Sequence, residues 1–74
     1  MADNLLDLRS ERCPMALLLA KRFIKKHTSN TMIGILVQDK SSCHDIERYI
    51  KAQGFAYSIE HDEGECLISL KKDN

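Results

Sequence analysis

The run MIGILV, Met32 to Val37, decides the fold. It is apolar at every position and carries β-branched residues, so it reads as a strand covered on at least part of both faces. Such a strand lies inside a sheet. The segments on either side must then supply its neighbours and its cover.

On the N-terminal side, LLDLR (Leu5 to Arg9) is short and apolar enough for another strand. Pro14 suits the first turn of a helix, where its missing N–H is not needed. From there the pattern turns helical. On a wheel of about 100° per residue, Ala16, Leu19, Ala20, Phe23, Ile24 and His27 gather on one side, and Lys21, Arg22, Lys25 and Lys26 on the other. That helix covers a core and shows water a basic face.

On the C-terminal side, DKSSCHDIERYIKAQG offers a serine cap at Ser41 or Ser42, an acidic first turn at Asp45, apolar Ile46, Tyr49 and Ile50, and Gly54 as the stop. Asp39 follows the strand and could equally cap this second helix. The remainder is a hairpin. Phe55, Tyr57 and Ile59 alternate with Ala56, Ser58 and Glu60, DEG turns, and Cys66, Ile68 and Leu70 alternate with Leu67 and Ser69.

The order βαβαββ predicts an α+β two-layer sandwich, with two helices packed on one face of a mixed four-stranded sheet. At 74 residues the chain reads as a single domain, 1–74, in which every element contributes to one core. The other sheet face carries apolar side chains as well, with Leu67 and Ala56 pointing the same way. This is either the scattered apolar surface of a small domain or a contact for a partner or second copy.

Eleven basic and eleven acidic residues cancel, and 43% of the residues are hydrophobic, which excludes a nucleic-acid tail or an acidic disordered segment. MADNLLDL lacks the basic and long apolar regions of a signal peptide, and the longest apolar run, Met15 to Ala20, is too short to span a bilayer. The expectation is a cytoplasmic protein with no membrane contact. Its three cysteines, Cys13, Cys43 and Cys66, are then expected as thiols rather than a disulfide framework.

Cys13 stands out because it precedes Pro14 at a helix start. There a sulfur faces unpaired amides and the positive end of the helix dipole, which lowers a thiol pKa from about 8.5 into a range of roughly 3.5 to 7.5. Arg9 and Arg12 push the same way. Pro14 biases the preceding residue out of helical geometry, which presents the sulfur; the competing reading is a small buried hydrophobe.

LDLRSERCP, the basic helix, VQDKSSCHDI, QGF and the closing ISLKK together resemble the TusA-like, or SirA-like, sulfur-carrier family from Leu6 to Lys72. The most specific part is the Asp-x-Arg…Cys-Pro segment. The resemblance implies a βαβαββ fold like the C-terminal domain of translation initiation factor three. It further implies a Cys-Pro-x-Pro cysteine, matched by Cys13 and Pro14, that carries sulfur as a persulfide. A cysteine desulfurase or other donor protein would supply the sulfur and an acceptor protein would take it, in the best-known case for tRNA thiolation. No cofactor is implied.

Three positions depart from the family pattern: Ala16 replaces its second proline, Ser10 a glycine, and Glu11 an apolar residue. Serine tolerates positive φ poorly, so the approach loop is expected to follow its own path. Ala16, unlike proline, keeps its N–H. If Cys13 is the N-cap, that amide is an additional donor to the thiolate.

Met15 and Leu18 fall with Lys21, Arg22 and Lys25 on the outward side of the helix, close to Cys13. These five form a candidate docking patch, unless the preceding loop covers the two apolar members. Cys43, at the start of the second helix, is either core or a second thiol approaching Cys13, and Cys66 reads as core. No close C-x-x-C pair points to a metal. His27 suits a helix C-terminus and His44 a solvated helix start.

The leading expectation is a sulfur-carrier protein, monomeric or weakly dimeric. The alternative is a protein-binding adaptor or regulatory module in which Cys13 is incidental. With zero net charge and only two phenylalanines and two tyrosines for base stacking, direct nucleic-acid binding is not expected.

Overall fold

The computed structural model describes residues 4–12, 14–27 and 31–72. Its elements follow the predicted order: β1 (Leu5–Leu8), α1 (Met15–Lys26), β2 (Thr31–Val37), α2 (Lys40–Gln53), β3 (Ala56–Asp62) and β4 (Glu65–Lys72). The four strands form one sheet in the order β1-β2-β4-β3. MIGILV is thus a central strand, parallel to β1 and antiparallel to β4.

Alternation in β2 sends Ile33, Ile35 and Val37 into the core, where Ile68, Leu70 and Cys66 of β4 lie opposite them in register. Leu8 of β1 joins them. Both helices close over this face, α1 burying Ala16, Ala20 and Ile24 and α2 burying Cys43, Ile46 and Ile50. Each fully buried isoleucine contributes roughly 1.5–3 kcal/mol of transfer free energy. Together the two layers share one hydrophobic core among the described residues.

Helix α2 corrects the serine-cap reading. Asp39 is the N-cap, with extended backbone, and its carboxylate accepts from the Ser42 amide at 3.0 Å and the Ser42 hydroxyl at 2.7 Å. Ser42 is fully buried, so its hydroxyl is satisfied by the capping carboxylate rather than by water. Asp45 lies beyond the first turn. Gly54 ends the helix with φ of 80°, a left-handed conformation that glycine adopts without a Cβ penalty.

The hairpin turns on Glu63 and Gly64, both at positive φ (50° and 83°). Two such residues between paired Asp62 and Glu65 are the type I′ arrangement that matches strand twist. Tyr57 of β3 donates to Glu47 of α2 at 2.8 Å, which ties helix to sheet and pushes the phenol pKa up. On the uncovered sheet face Met32 and Leu5 are exposed, and Leu5 lies over Gly34, where a Cβ would meet its Cδ1 at 3.1 Å.

Candidate functional site

Parallel pairing of β1 and β2, Leu8 beside Val37, brings the C-terminal ends of both strands to one edge of the molecule. The loops that leave them lead directly into α1 and α2. Cys66 of β4 pairs with Val37, so the start of β4 lies at the same edge. A hollow of about 380 Å³ opens there, lined by Arg9, Ser10, Glu11, Arg12, Gln38 and Asp39.

Arg9 is not directed at a thiol. Its guanidinium forms a two-point pair with Asp7 (Nε to Oδ1 2.9 Å, a terminal nitrogen to Oδ2 2.8 Å), and its other terminal nitrogen reaches Glu65 at 3.5 Å. The Asp7 carboxyl also accepts the Arg9 amide at 3.1 Å. Hydrogen bonding to Arg9 holds Asp7 at about 2, well below the usual carboxylate value, and the same pair raises the Arg9 pKa. The Asp-x-Arg motif is therefore a self-contained clasp that shapes the exit from β1, and Arg9 brings the site a largely compensated charge.

Ser10 lies in a turn closed by the Glu11 amide on the Leu8 carbonyl at 3.0 Å. Among the described residues Glu63 is the only non-glycine with positive φ, so Ser10 follows this loop without entering the region that would favour glycine. Arg12 is exposed.

Cys13 lies outside the described residues; its chain neighbours define the setting. Pro14, exposed, is the N-cap of α1 with φ −93° and ψ −3°, and its carbonyl accepts from Leu18 at 3.2 Å. The Ala16 amide donates to the Arg12 carbonyl at 2.9 Å. The expectation made Ala16 a donor to sulfur if Cys13 is the N-cap; the cap is Pro14 instead, and the Ala16 N–H is engaged with the Arg12 carbonyl. Ala16 is fully buried.

Met15 and Leu18 are 48% and 49% exposed and, with Pro14, Leu17 and Lys21, line an apolar groove of about 340 Å³. The preceding loop does not cover them. Lys21 is half-buried, with Nζ 5.3 Å from the centre of the Tyr49 ring, so it bridges α1 and α2. Arg22 and Lys25 are exposed, but Arg22 lines a different hollow, with Leu6, Leu19 and Phe23. Of the five residues of the candidate patch, Met15, Leu18 and Lys21 therefore share the groove, Arg22 belongs to a second surface, and Lys25 lines neither.

A second correction concerns the other cysteines. Cys43 and Cys66 are both buried, as core residues would be, yet they are bonded to each other as a disulfide across 23 residues, with Cα atoms 6.8 Å apart. His61 Nδ1 lies 3.5 Å from Cys66 Sγ. Sequence reading placed each cysteine correctly in its own element but missed the pair and its histidine. Helix α2 begins at the edge where Cys66 meets Val37, and that shared edge was the available signal. Among the described residues no group of three His, Cys, Asp or Glu side chains is placed to hold a metal ion, and no helix is long and apolar enough to cross a membrane.

Residues 4–72 match the model of a protein family described as sulfurtransferase TusA. The sulfur carrier protein TusA of Buchnera aphidicola subsp. Baizongia pistaciae is 37% identical over 49 residues, 66% of this chain and 62% of that one. The match thus spans somewhat under two thirds of that relative's length. The crystal structure of a SirA-like protein from Desulfitobacterium hafniense superposes with a TM-score of 0.80, covering 95% of this chain and 97% of the other at 17% identity, a likeness of fold.

Proposed function

The chain belongs to the TusA sulfurtransferase family, and on that premise we propose that it is a sulfur carrier whose Cys13 holds sulfur as a persulfide. The Cys13 thiolate attacks the outer sulfur of a donor persulfide, the donor sulfur–sulfur bond breaks, and the donor leaves as a thiolate. An acceptor thiolate then attacks the outer sulfur of Cys13–SSH and releases Cys13. Both steps conserve oxidation state overall, so neither needs a redox cofactor.

One observation carries the reading most directly. Of the three cysteines in the chain, Cys43 and Cys66 are engaged with each other, which leaves Cys13, next to the cap of α1, as the remaining thiol. Helix dipole and the Arg12 side chain favour a thiolate at such a position. Arg9 contributes by shaping the loop through Asp7 rather than by its charge. Pro14 fixes the cap.

The donor is a cysteine desulfurase or another persulfide-bearing protein, and the acceptor serves tRNA thiolation or related sulfur metabolism. Both dock on the Met15–Leu18–Lys21 groove, with Arg22 and Lys25 receiving acidic partner side chains. Incubation with a cysteine desulfurase and cysteine, followed by intact-mass spectrometry, tests the reading. A reducible gain of about 32 Da in wild type and none in Cys13→Ser is expected. Equal loading of Cys13→Ser would overturn it.

A further inference from the structure

We propose that Cys43 and Cys66 form a redox-active dithiol–disulfide pair that exchanges with low-molecular-weight thiols and disulfides through the cleft beside α2, with His61 stabilising the Cys66 thiolate. This inference stands independently of sulfur carriage at Cys13.

Three features support it. First, the bond does not lie deep between the layers. Both cysteines form part of the wall of a cleft of about 580 Å³ that also involves Lys40, His44 and His61, so a small thiol has a route to sulfur. Their exposures, 7% and 6%, are those of side chains lining a wall rather than projecting from a surface.

Second, the two sulfurs differ in their surroundings. His61 Nδ1 is 3.5 Å from Cys66 Sγ, and in the tautomer protonated at Nδ1 it donates to that sulfur. A thiolate formed at Cys66 is therefore stabilised, which makes Cys66 the better leaving group. Third, the core does not consist of the bond alone, because buried isoleucines and leucines of both helices and three strands join the two cysteines in one cluster.

The chemistry follows with its electrons balanced. A thiolate RS⁻ attacks Cys43 Sγ, the Cys43–Cys66 bond breaks, and Cys66 departs with the electron pair as a thiolate beside His61. A second RS⁻ attacks the R sulfur of the Cys43–S–SR mixed disulfide and releases Cys43 as a thiolate. In sum, two RSH and the protein disulfide become RSSR and the protein dithiol, with two electrons and two protons passing to the protein. Oxidation by RSSR runs the same steps backwards.

The test uses the full chain carrying Cys13→Ser, which removes the third thiol. Protein is equilibrated with reduced and oxidised glutathione at a series of ratios, quenched in acid, unfolded at neutral pH in denaturant with excess N-ethylmaleimide, and weighed intact. The expected result is a transition between species with zero and two labels, with unchanged circular dichroism on both sides. Two labels at every ratio, oxidised glutathione alone included, would overturn the proposal. So would zero labels at every ratio, reduced glutathione alone included, since the bond would then be inert. Adding Cys66→Ser is expected to trap glutathione on Cys43, and failure to trap it would overturn the order of attack. His61→Ala is expected to slow reduction at least threefold, whereas an unchanged rate would remove His61 from the account.

Discussion

The Ala16 amide donates to the Arg12 carbonyl at 2.9 Å, a backbone bond that ties the first turn of α1 to the loop before it. A proline at position 16 removes this bond. Ala16→Pro is therefore expected to lower stability by about 1 kcal/mol in chemical denaturation while leaving the Cys13 pKa unchanged in a rate-of-alkylation titration. A clear rise in that pKa would mean that the Ala16 amide does serve the sulfur.

The Asp7–Arg9 clasp sets a pH dependence. Because the folded carboxyl titrates at about 2 rather than at its ordinary value of 3.8, the clasp favours the folded state above the ordinary value, and that contribution is lost as pH falls from about 4 towards 2. Carboxyl-carbon NMR is expected to show the Asp7 midpoint at about 2. In Arg9→Ala its midpoint returns towards the ordinary value. An Asp7 midpoint near 4 in the wild type would contradict the clasp.

Capping of α2 concentrates on one carboxylate. Asp39→Ala removes the acceptor for both the Ser42 amide and its buried hydroxyl, and is expected to cost about 2 kcal/mol in urea unfolding. Ser42→Ala removes one donor and leaves the amide bond in place, so it costs less. Equal costs for the two variants would show that the cap bond carries nothing of its own.

The groove on α1 separates docking from stability. Met15→Ala and Leu18→Ala alter side chains that are about half exposed, so each is expected to change stability by less than about 0.5 kcal/mol. Combined, they are expected to slow sulfur transfer from a protein donor about tenfold without slowing alkylation of Cys13 by iodoacetamide. Unimpaired transfer would place the donor elsewhere, with the Arg22 surface the next to test.

Much of the architecture was legible because each element carries its own period. Ile33, Ile35 and Val37 within MIGILV, the α1 stripe of Ala16, Ala20 and Ile24, and the alternation of Cys66, Ile68 and Leu70 all depend on local spacing, and the structure buries these side chains as that spacing predicts. Less legible were features set by one-residue choices or by distance along the chain. Asp39, Ser41 and Ser42 are all capable caps, and only the extended backbone at Asp39 selects among them. The start of α1 is similar: moving the cap from Cys13 to Pro14 turns Ala16 from a sulfur donor into a backbone donor. Cys43 and Cys66 each fit their own element as apolar residues, and their bond becomes visible only once register sets β4 beside the start of α2. Arg9 was read as a charge near sulfur because its partners, Asp7 two residues away and Glu65 on another strand, compete for it only in three dimensions.

The central claim is that sulfur travels on Cys13 and not on Cys43 or Cys66. The most direct measurement is fragmentation mass spectrometry of the non-reduced protein after loading by a cysteine desulfurase. The account predicts one added sulfur on the fragment containing Cys13 and none on the fragments containing Cys43 and Cys66. Added sulfur on Cys43 or Cys66, with Cys13 unmodified, would contradict it.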